Sequence, residues 1–437
     1  SMPIRPCSCR PYCKRPCPTL ISPSPFPYRR YAMKITNVEY FHLNPRLCDR
    51  YKGHEVRFSG IDTQTVYRVT LHNGVIGYGD ERGHITLSEQ QISALVDQSP
   101  FNYLGASLNA GLMGALYDAM GKAIDEPAYK LLGQKVRDRV PVAAWTRPAT
   151  PEDFASEITR AANEGYTIFK MHSDARHDII EQTRAAQEVA PQGFKLHWDL
   201  NHNRPSAAVL RIVDELEKFP VVGFLEDPFF WHDIEGWRLL RSQTMLPILM
   251  HVPQLGGGPE IQREVADLYM IGENGLGNSI RRGFAAAAAG LSTVIQLTGG
   301  TLSKAMAMHL GAVVPNVSHA TTLDDQYAED ATGTRLEISE GSSPVPEGPG
   351  LGVEVDEKIL AELAARPKSE LPRHVGLLHL PGGTTYYTPS APNVELITGF
   401  VEGNVRGIRS EFWNDDGSEE FSRVYEQVQK EGKVKKT

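Results

Sequence analysis

The order of strands and helices between residues 136 and 330 predicts an α/β fold, a parallel barrel of the TIM type. Short apolar segments alternate with helical ones, and successive strands lie about 22 to 30 residues apart, as βα units require. Two of these strands end on a carboxylate, Asp199 and Glu226. The predicted strands cover residues 140–145, 167–171, 195–198, 221–225, 247–250, 268–271 and 293–297.

The two carboxylates at strand ends indicate metal chemistry. In a parallel barrel the C-terminal ends of the strands meet at one mouth, which carries the active site. We therefore expect Asp199 and Glu226 to face the same space and to hold a hard divalent cation such as Mg²⁺ through oxygen ligands. The structural alternative is that both acids only cap the helices that follow them.

Composition and charge exclude several classes of protein. A chain of 437 residues allows two or three domains, and 41% hydrophobic with 22% charged residues is ordinary for a globular enzyme. A formal charge of -8 argues against a general nucleic-acid binder, which usually carries a basic face. No apolar run is long enough to cross a membrane, so we predict neither a nucleic-acid nor a membrane partner.

The first 33 residues are predicted to be a disordered extension rich in proline, arginine and cysteine. Four of the five cysteines lie there, at positions 7, 9, 13 and 17, but their spacing matches no zinc-finger pattern. The segment also lacks the apolar core of a secretory signal. The rest of the chain contains only Cys48, which is typical of a protein of the reducing cytoplasm.

The barrel is flanked by other segments in the chain. Residues 34–135 predict an α+β domain, because strand patterns with a hairpin turn at His72-Asn73-Gly74 precede helical periodicity over 107–132. Residues 331–366 are a return segment. Residues 367–437 form a less regular C-terminal extension, interpreted as a solvated or subunit-contacting appendage, or alternatively as a loop that reaches over a neighbour's active site.

Several motifs, in this order and at this spacing, resemble the enolase superfamily, and most closely its mandelate racemase/muconate lactonizing enzyme branch. The resemblance covers about residues 34–363. It implies a modified (β/α)7β barrel under an α+β capping domain, a homo-oligomer, and Mg²⁺ that stabilises the enolate formed when a proton next to a carboxylate is removed. The motifs are Val75–Asp80, Ala115–Asp118 followed by Leu131-Leu132-Gly133, Asp199-Leu200-Asn201, Glu226-Asp227-Pro228 and Pro349–Gly352.

The resemblance also assigns roles to residues of the first barrel strands. It implies that Asp199 and Glu226 are metal ligands and that Asn201 faces the substrate. The family's Lys-x-Lys base motif reads Lys170-Met171-His172, and alternate residues of a strand point the same way. We expect His172, or alternatively Lys170, to be the base. If His172 is the base, Lys170 could pair with the substrate carboxylate; the other alternative is that His172 is a structural histidine or one that only supports the site residues.

The later strand ends depart from the family pattern. The third acidic ligand is missing, and His251 is the nearest candidate ligand, which favours Mn²⁺ or Zn²⁺ over Mg²⁺; alternatively it binds substrate or packs. Glu273 and Gln296 replace the sixth-strand aspartate and seventh-strand histidine, and we expect both to contact substrate. Glutamine cannot act as a general base, which disfavours racemisation. His319 is a candidate acid at the eighth strand.

The loop over residues 44–62 matches the segment that selects substrate in relatives. Tyr51 and Arg57 are among its basic and hydrogen-bonding groups, which suit an acidic, hydroxylated substrate. The alternative is a solvated loop. The neighbouring Asp80-Glu81-Arg82 is interpreted as structural.

Together these features predict a lyase that acts on a small-molecule carboxylate. The expected reaction is metal-dependent dehydration of a sugar acid or related α-hydroxy acid to a 2-keto acid, which needs one base and one acid. Two alternatives remain: an epimerase or racemase on a carboxylate, and a catalytically degenerate barrel with a binding or assembly role. The altered strand ends at His251, Gln296 and Thr321 motivate the last alternative.

Overall fold

A computed structural model describes residues 33–51, 61–146, 148–254, 256–273, 275–368, 370–399 and 405–436. The N-terminal extension, Arg57 and the side chain of Tyr51 lie outside these described residues, so the expectations for them stay predictions. Among the described residues, none of the helices is both long and apolar enough to cross a lipid bilayer.

The N-terminal α+β unit is an antiparallel sheet with helices packed on it. The sheet contains β1 (Ile35–Leu43), β2 (Gln64–Leu71) and β3 (Ile76–Arg82) in that order, followed by α1 (Glu89–Leu95), α2 (Ala110–Ile124) and α3 (Tyr129–Leu132). Glycines let α2 lie directly on β3: a Cβ on Gly79 would stand 2.1 Å from the Gly111 carbonyl oxygen. The α+β unit predicted for this region is therefore present.

The central part of the chain forms a closed barrel of eight parallel strands. The sheet closes because β11 pairs with β4, through Ala320 opposite Val142 and Thr321 opposite Ala143. All seven predicted strands are present. The strands are β4 (Arg139–Thr146), β5 (Ile168–His172), β6 (Lys195–Asp199), β7 (Val222–Glu226), β8 (Ile248–Met250), β9 (Leu268–Gly272), β10 (Ser292–Gln296) and β11 (Val317–Thr321).

Helices surround the barrel and cover its strands. They are α4 (Pro151–Asn163), α5 (Ile179–Val189), α6 (Ser206–Leu216), α7 (Ile234–Gln243), α8 (Gly258–Gln262), α9 (Leu276–Ala288) and α10 (Thr301–Val313). Between β11 and the C-terminal region, β12 (Ser342–Pro344) pairs antiparallel with β4, and α11 (Glu357–Ala365) contacts β1. The chain thus returns from the barrel to the first sheet.

Register places the ends of three neighbouring strands at one level. His172, the last residue of β5, is opposite Asp199, the last residue of β6, which in turn is opposite Glu226, the last residue of β7. Because these strands are parallel, their final side chains share one edge of the barrel. The fold therefore brings the sequence-predicted base and two predicted ligands together.

The C-terminal region is a small ordered domain, which corrects the expectation of a less regular appendage. Its antiparallel strands are β13 (His374–His379), β14 (Thr385–Thr388), β15 (Arg409–Asn414) and β16 (Val434–Lys435), in the sheet order β15-β13-β14-β16. The helices are α12 (Val394–Thr398) and α13 (Glu419–Glu431). Phe421, Val424 and Val428 of α13 pack with Val375 and Tyr387 of the sheet. These apolar contacts give the domain a core of its own.

Candidate active site

Lys170 lies at the centre of the polar cluster at the barrel mouth. Its Nζ stands 2.7 Å from Glu226 Oε2, 3.2 Å from Asp199 Oδ2 and 3.1 Å from Gln296 Oε1. Burial alone would lower the pKa of Lys170, but Glu226 and Asp199 outweigh it and raise the pKa above the ordinary lysine value. The ammonium group therefore stays charged and uses its three donor directions inside the protein.

Lys170 is satisfied by partners within the barrel, and its expected contact with the substrate carboxylate stays a prediction. The residue is only 2% exposed, although it is among those that line the cavity at the mouth. Its partners are two carboxylates and an amide of the barrel itself. Lys170 is thus a cation that holds Asp199 and Glu226 together.

His172 lies beside Asp199 and keeps a neutral ring. Its Nδ1 is 3.3 Å from Asp199 Oδ2, and Trp145 contacts the imidazole edge-on with ring centroids 5.9 Å apart. Burial is the main reason why the pKa of His172 falls to about 4. At neutral pH the imidazole therefore has a lone pair that can accept a proton.

The residues at the mouth fit a divalent cation. The buried carboxylates of Asp199 and Glu226 already converge on one cationic centre, the Lys170 ammonium group. His251 Nδ1 stands 2.9 Å from Glu226 Oε1, and ligand atoms of Glu226, Asp227 and His251 lie within 4.8 Å of one another. Two carboxylates and an imidazole form a donor set that suits Mg²⁺, Mn²⁺ or Zn²⁺.

Asp227 accepts hydrogen bonds from its neighbours. One of its oxygens accepts a hydrogen bond from the backbone N–H of His251, and the other accepts one from Trp231 Nε1, both at 2.9 Å. His202 Nε2 also lies 3.3 Å away. Both Asp227 and His251 belong to the cluster of potential ligands, and the choice of His251 as the third ligand stays a prediction.

His251 is held between two carboxylates. Burial lowers its pKa, but hydrogen bonds to Glu226 and Glu273 outweigh burial and raise the pKa to about 10. Gln296 Nε2 lies 3.4 Å from His251 Nε2, and Thr321 Oγ1 donates to Gln296 Oε1 at 3.2 Å. Gln296 lines the cavity at the mouth and Glu273 bonds His251 beside it, and contact of either residue with substrate stays a prediction.

His319 lies below the mouth, which corrects the expected acid role. Its side chain is fully buried, with Nε2 2.9 Å from Nδ1 of His197, and His197 Nε2 stands 2.7 Å from Glu226 Oε2. Burial lowers the pKa of His319 well below the usual histidine value, so the ring is neutral. A group enclosed in this way positions Glu226 through His197 and cannot reach a substrate.

Asn201 contributes through its backbone. Its N–H donates a 2.9 Å hydrogen bond to Asp199 Oδ1, and its φ of 48° places the residue in the left-handed region. The residue itself is exposed at the rim of the mouth. Asn201 therefore orients Asp199, and contact of its side chain with substrate stays a prediction.

Comparison with known proteins identifies the fold family. Residues 153–252 and 266–359 match the family model described as enolase C-terminal domain-like. Solved structures of similar fold include mandelate racemase-like enzymes. Over these residues the chain is similar to the enolase superfamily.

Three relatives show the range of activities in similar enolase-superfamily proteins. A D-gluconate dehydratase of Thermoproteus tenax is 29% identical over 280 residues, a match that spans 59% of this chain and only 56% of that relative. A D-galactonate dehydratase of Pectobacterium atrosepticum is 25% identical, across 76% of this chain and 94% of the relative. An N-succinyl-L-Arg/Lys racemase of Bacillus cereus is 22% identical, across 76% of this chain and 98% of the racemase.

The solved structure of that racemase supports the fold assignment. It superposes with a TM-score of 0.64, at 22% identity, and covers 76% of this chain and 99% of the racemase. At this level of identity the likeness establishes the fold alone. The matched family model ends at residue 359, so the C-terminal domain lies beyond it.

Sequence reasoning missed Arg82 as a site residue. Arg82 ends β3, and its NH2 group stands 3.6 Å from Glu273 Oε1. Arg82 also lines the cavity at the mouth, whereas the Asp80 carboxylate bonds the backbone N–H groups of Gly300 and Ser303. The signal in the sequence was the position of Arg82 at a strand end.

The cavity at the mouth is lined by Ile61, Arg82, Trp145, Lys170, His172, Gln296, Thr298, Thr321, Thr322 and Leu323.

His197 was also missed, although the sequence carried a signal. It is the polar residue in the apolar run Leu196-His197-Trp198, two positions before Asp199. Residues two apart on a strand point to the same side, so His197 lies beneath Asp199 inside the barrel. Its contact with Glu226 shows that the site extends one layer below the mouth.

Proposed function

We propose that this protein removes the proton next to the carboxylate of a sugar acid and dehydrates it to a 2-keto acid. The observation that carries the proposal is the register of three strand ends. It places neutral His172 beside the buried carboxylates Asp199 and Glu226. Two of the three relatives described above are named as dehydratases of sugar acids. A base beside two potential metal ligands is the arrangement that proton removal next to a carboxylate requires.

Asp199, Glu226 and His251 are the proposed ligands of the divalent cation. A Mg²⁺, Mn²⁺ or Zn²⁺ ion held by these residues would supply positive charge to offset the negative charge that develops on the substrate carboxylate. Lys170 holds Asp199 and Glu226 close together, because its Nζ lies within 3.2 Å of both. The chain thus prepares its oxygen donors before any ligand arrives.

His172 is the proposed base. With Nδ1 directed toward Asp199, 3.3 Å away, Nε2 is the nitrogen that receives the substrate proton. One base on one face suffices for dehydration, whereas racemisation needs proton transfer on both faces. Gln296 at the opposite strand end cannot supply the second base, which favours dehydration.

Arg82 is the proposed partner of the substrate carboxylate, in the role that the sequence suggested for Lys170. It lines the mouth cavity together with His172, and its side chain is about one-third exposed (34%). A guanidinium group offers two parallel donors that match a carboxylate. The α+β unit would then contribute directly to substrate binding.

The proposal is tested by incubating the protein with Mg²⁺ and D-gluconate or D-galactonate in D₂O. A 2-keto acid product, lost in His172→Asn and retained in His232→Asn, supports it; His232 is a histidine outside the cluster described above. Deuterium in recovered substrate without a 2-keto acid would indicate epimerisation instead. No product and no exchange across a panel of sugar acids, with Mg²⁺, Mn²⁺ and Zn²⁺, would overturn it and favour a binding role.

A further inference from the structure

We propose that the C-terminal domain holds the candidate base in place by bracing the loop that follows it. The base loop is defined as residues 173–178, directly after His172, and the brace as residues 405–410 of the C-terminal domain. The inference rests on the proposed function only in naming His172 as the base. The brace residues are positioning residues, since none of them touches the mouth cavity.

The brace and the base loop are joined by charged and backbone hydrogen bonds. Asp178 Oδ2 accepts from Arg406 Nε and from the Gly407 N–H, both at 2.8 Å. In return, the Asp178 N–H donates to the Ile408 carbonyl oxygen at 3.1 Å. His177 Nε2 lies 3.2 Å from the Ser410 carbonyl oxygen. The brace therefore holds Asp178 through both its backbone and its side chain, and His177 through its side chain.

Burial makes these contacts necessary for the loop. His177 is 6% exposed and Asp178 is 2% exposed, so loss of the brace would take the partners of His177 Nε2 and Asp178 Oδ2 at a buried site. Apolar packing adds to the contact, because Ala175 of the base loop packs against the buried cluster of Leu378, Val394 and Ile408. The loop is thus enclosed by the C-terminal domain rather than by solvent.

The opposite side of the base loop is tied to the strand that carries Asp199. The Ser173 N–H donates to the Asp199 carbonyl oxygen at 2.8 Å. Arg204, which is 5% exposed, donates to Ser173 Oγ at 2.7 Å and to the Asp174 carbonyl oxygen at 2.5 Å. The loop therefore lies between the site and the brace, and movement at Asp178 is transmitted over five residues to His172.

Hydrogen exchange measured by mass spectrometry tests the brace without any substrate. In Arg406→Gln we expect peptides that cover residues 168–180 to exchange about fivefold to tenfold faster, because opening of the loop becomes easier. The Arg406→Lys variant should restore part of the protection. Unchanged exchange in Arg406→Gln would overturn the inference.

Matched variants separate the brace from general effects. Arg409 also belongs to residues 405–410, but its ion pair is with Glu411 and not with the base loop. Arg409→Gln therefore removes an arginine of similar exposure (45% against 47%) and should leave the loop unchanged. Asp178 also caps α5, so Asp178→Asn is compared with Asp356→Asn, the equivalent cap of α11. Faster loop exchange only in Asp178→Asn supports the brace; equal effects in both variants would overturn it.

Turnover gives a second readout once a substrate is found. A displaced base slows proton removal but leaves substrate binding intact, so Arg406→Gln should lower kcat about tenfold with KM unchanged. An unchanged kcat, or a rise in KM alone, would overturn the positioning role. Loop exchange that responds to Arg406→Gln in a protein that processes no sugar acid would uphold the brace and refute the proposed function.

Discussion

Lys170 Nζ lies 2.7 Å from Glu226 Oε2 in the barrel, and the two side chains are 3% and 0% exposed. A buried ion pair is stable only when further partners satisfy both groups, and here Asp199 and Gln296 do so for the ammonium. The same carboxylates are the proposed metal ligands. An internal cation and a divalent ion therefore share one set of oxygens.

This relationship predicts the effect of Lys170→Met. Without the ammonium, Asp199 and Glu226 are buried charges with no cation between them, so the metal-free variant should lose about 3–5 kcal/mol of unfolding free energy. A divalent ion that binds the folded state should restore much of the loss by mass action. Urea unfolding with chelator and with Mg²⁺ or Mn²⁺ measures both effects.

Lys304→Met provides the matched control for Lys170→Met. Lys304 is equally buried and pairs with Asp324 at 2.9 Å, so its removal should destabilise the protein to a similar extent. No metal should rescue it, because Asp324 is not among the proposed ligands. Equal rescue of both variants, or rescue of neither, would contradict the shared-oxygen interpretation.

Metal affinity distinguishes the proposed ligands from their neighbours. In calorimetry on chelator-stripped protein, Asp199→Asn should weaken divalent binding at least about a hundredfold, and His251→Ala should weaken it if imidazole is the third ligand. His202→Ala serves as control, since that ring contacts Asp227 and not Glu226. If metal binding is lost in Asp199→Asn but kept in His251→Ala, His251 is not a metal ligand.

The strand-end residues could be predicted from the sequence because parallel barrels convert chain order into position. Asp199, Glu226 and His172 each end an apolar strand, and pairing in register places such ends at one level. The ion pair of Arg82 with Glu273 could not be predicted in this way, because it depends on how the first sheet packs on the barrel. The direction of the His319 side chain, into the barrel, depends on the register of β11 with its neighbouring strands, which the sequence does not specify.

The C-terminal domain was missed because its strands are short and irregularly spaced. The strongest signal was in α13, where Phe421, Val424 and Val428 follow helical spacing on one face. Its contact with the base loop was not readable, because it joins residues more than 200 positions apart, such as Asp178 and Arg406. Long-range polar contacts leave no periodic pattern.

The histidine pair beneath the site leads to a prediction about Glu226. If a neutral His197 donates its Nε2–H to Glu226, its Nδ1 accepts a hydrogen bond from His319 Nε2–H, so His319 fixes the tautomer of His197. His319→Phe should therefore weaken divalent metal affinity about tenfold, as loss of an outer-shell partner does. His309→Phe removes an equally buried histidine that bonds Leu351 instead and should leave the affinity unchanged. Equal affinities in both variants would remove His319 from this role.

Asp80 leads to a prediction about stability and pH. Its carboxylate accepts hydrogen bonds from the Gly300 and Ser303 N–H groups at the start of α10, at 2.6 and 2.7 Å. Burial, and then the charge of Asp330, raise its pKa to about 7. Between about pH 4 and pH 7, Asp80 is therefore protonated in the folded protein but ionised in the unfolded chain, where the aspartate pKa is near 4.

The sign of the effect follows from this proton uptake. The contribution of Asp80 to stability is fully present below about pH 4 and is lost as pH rises to about 7, with a slope of up to about 1.4 kcal/mol per pH unit. Urea unfolding between pH 4.5 and 8 measures this slope. Asp80→Asn should flatten it, and Asp330→Asn should shift it to lower pH because a neighbouring charge is gone. A slope that survives in Asp80→Asn would assign the proton to another group.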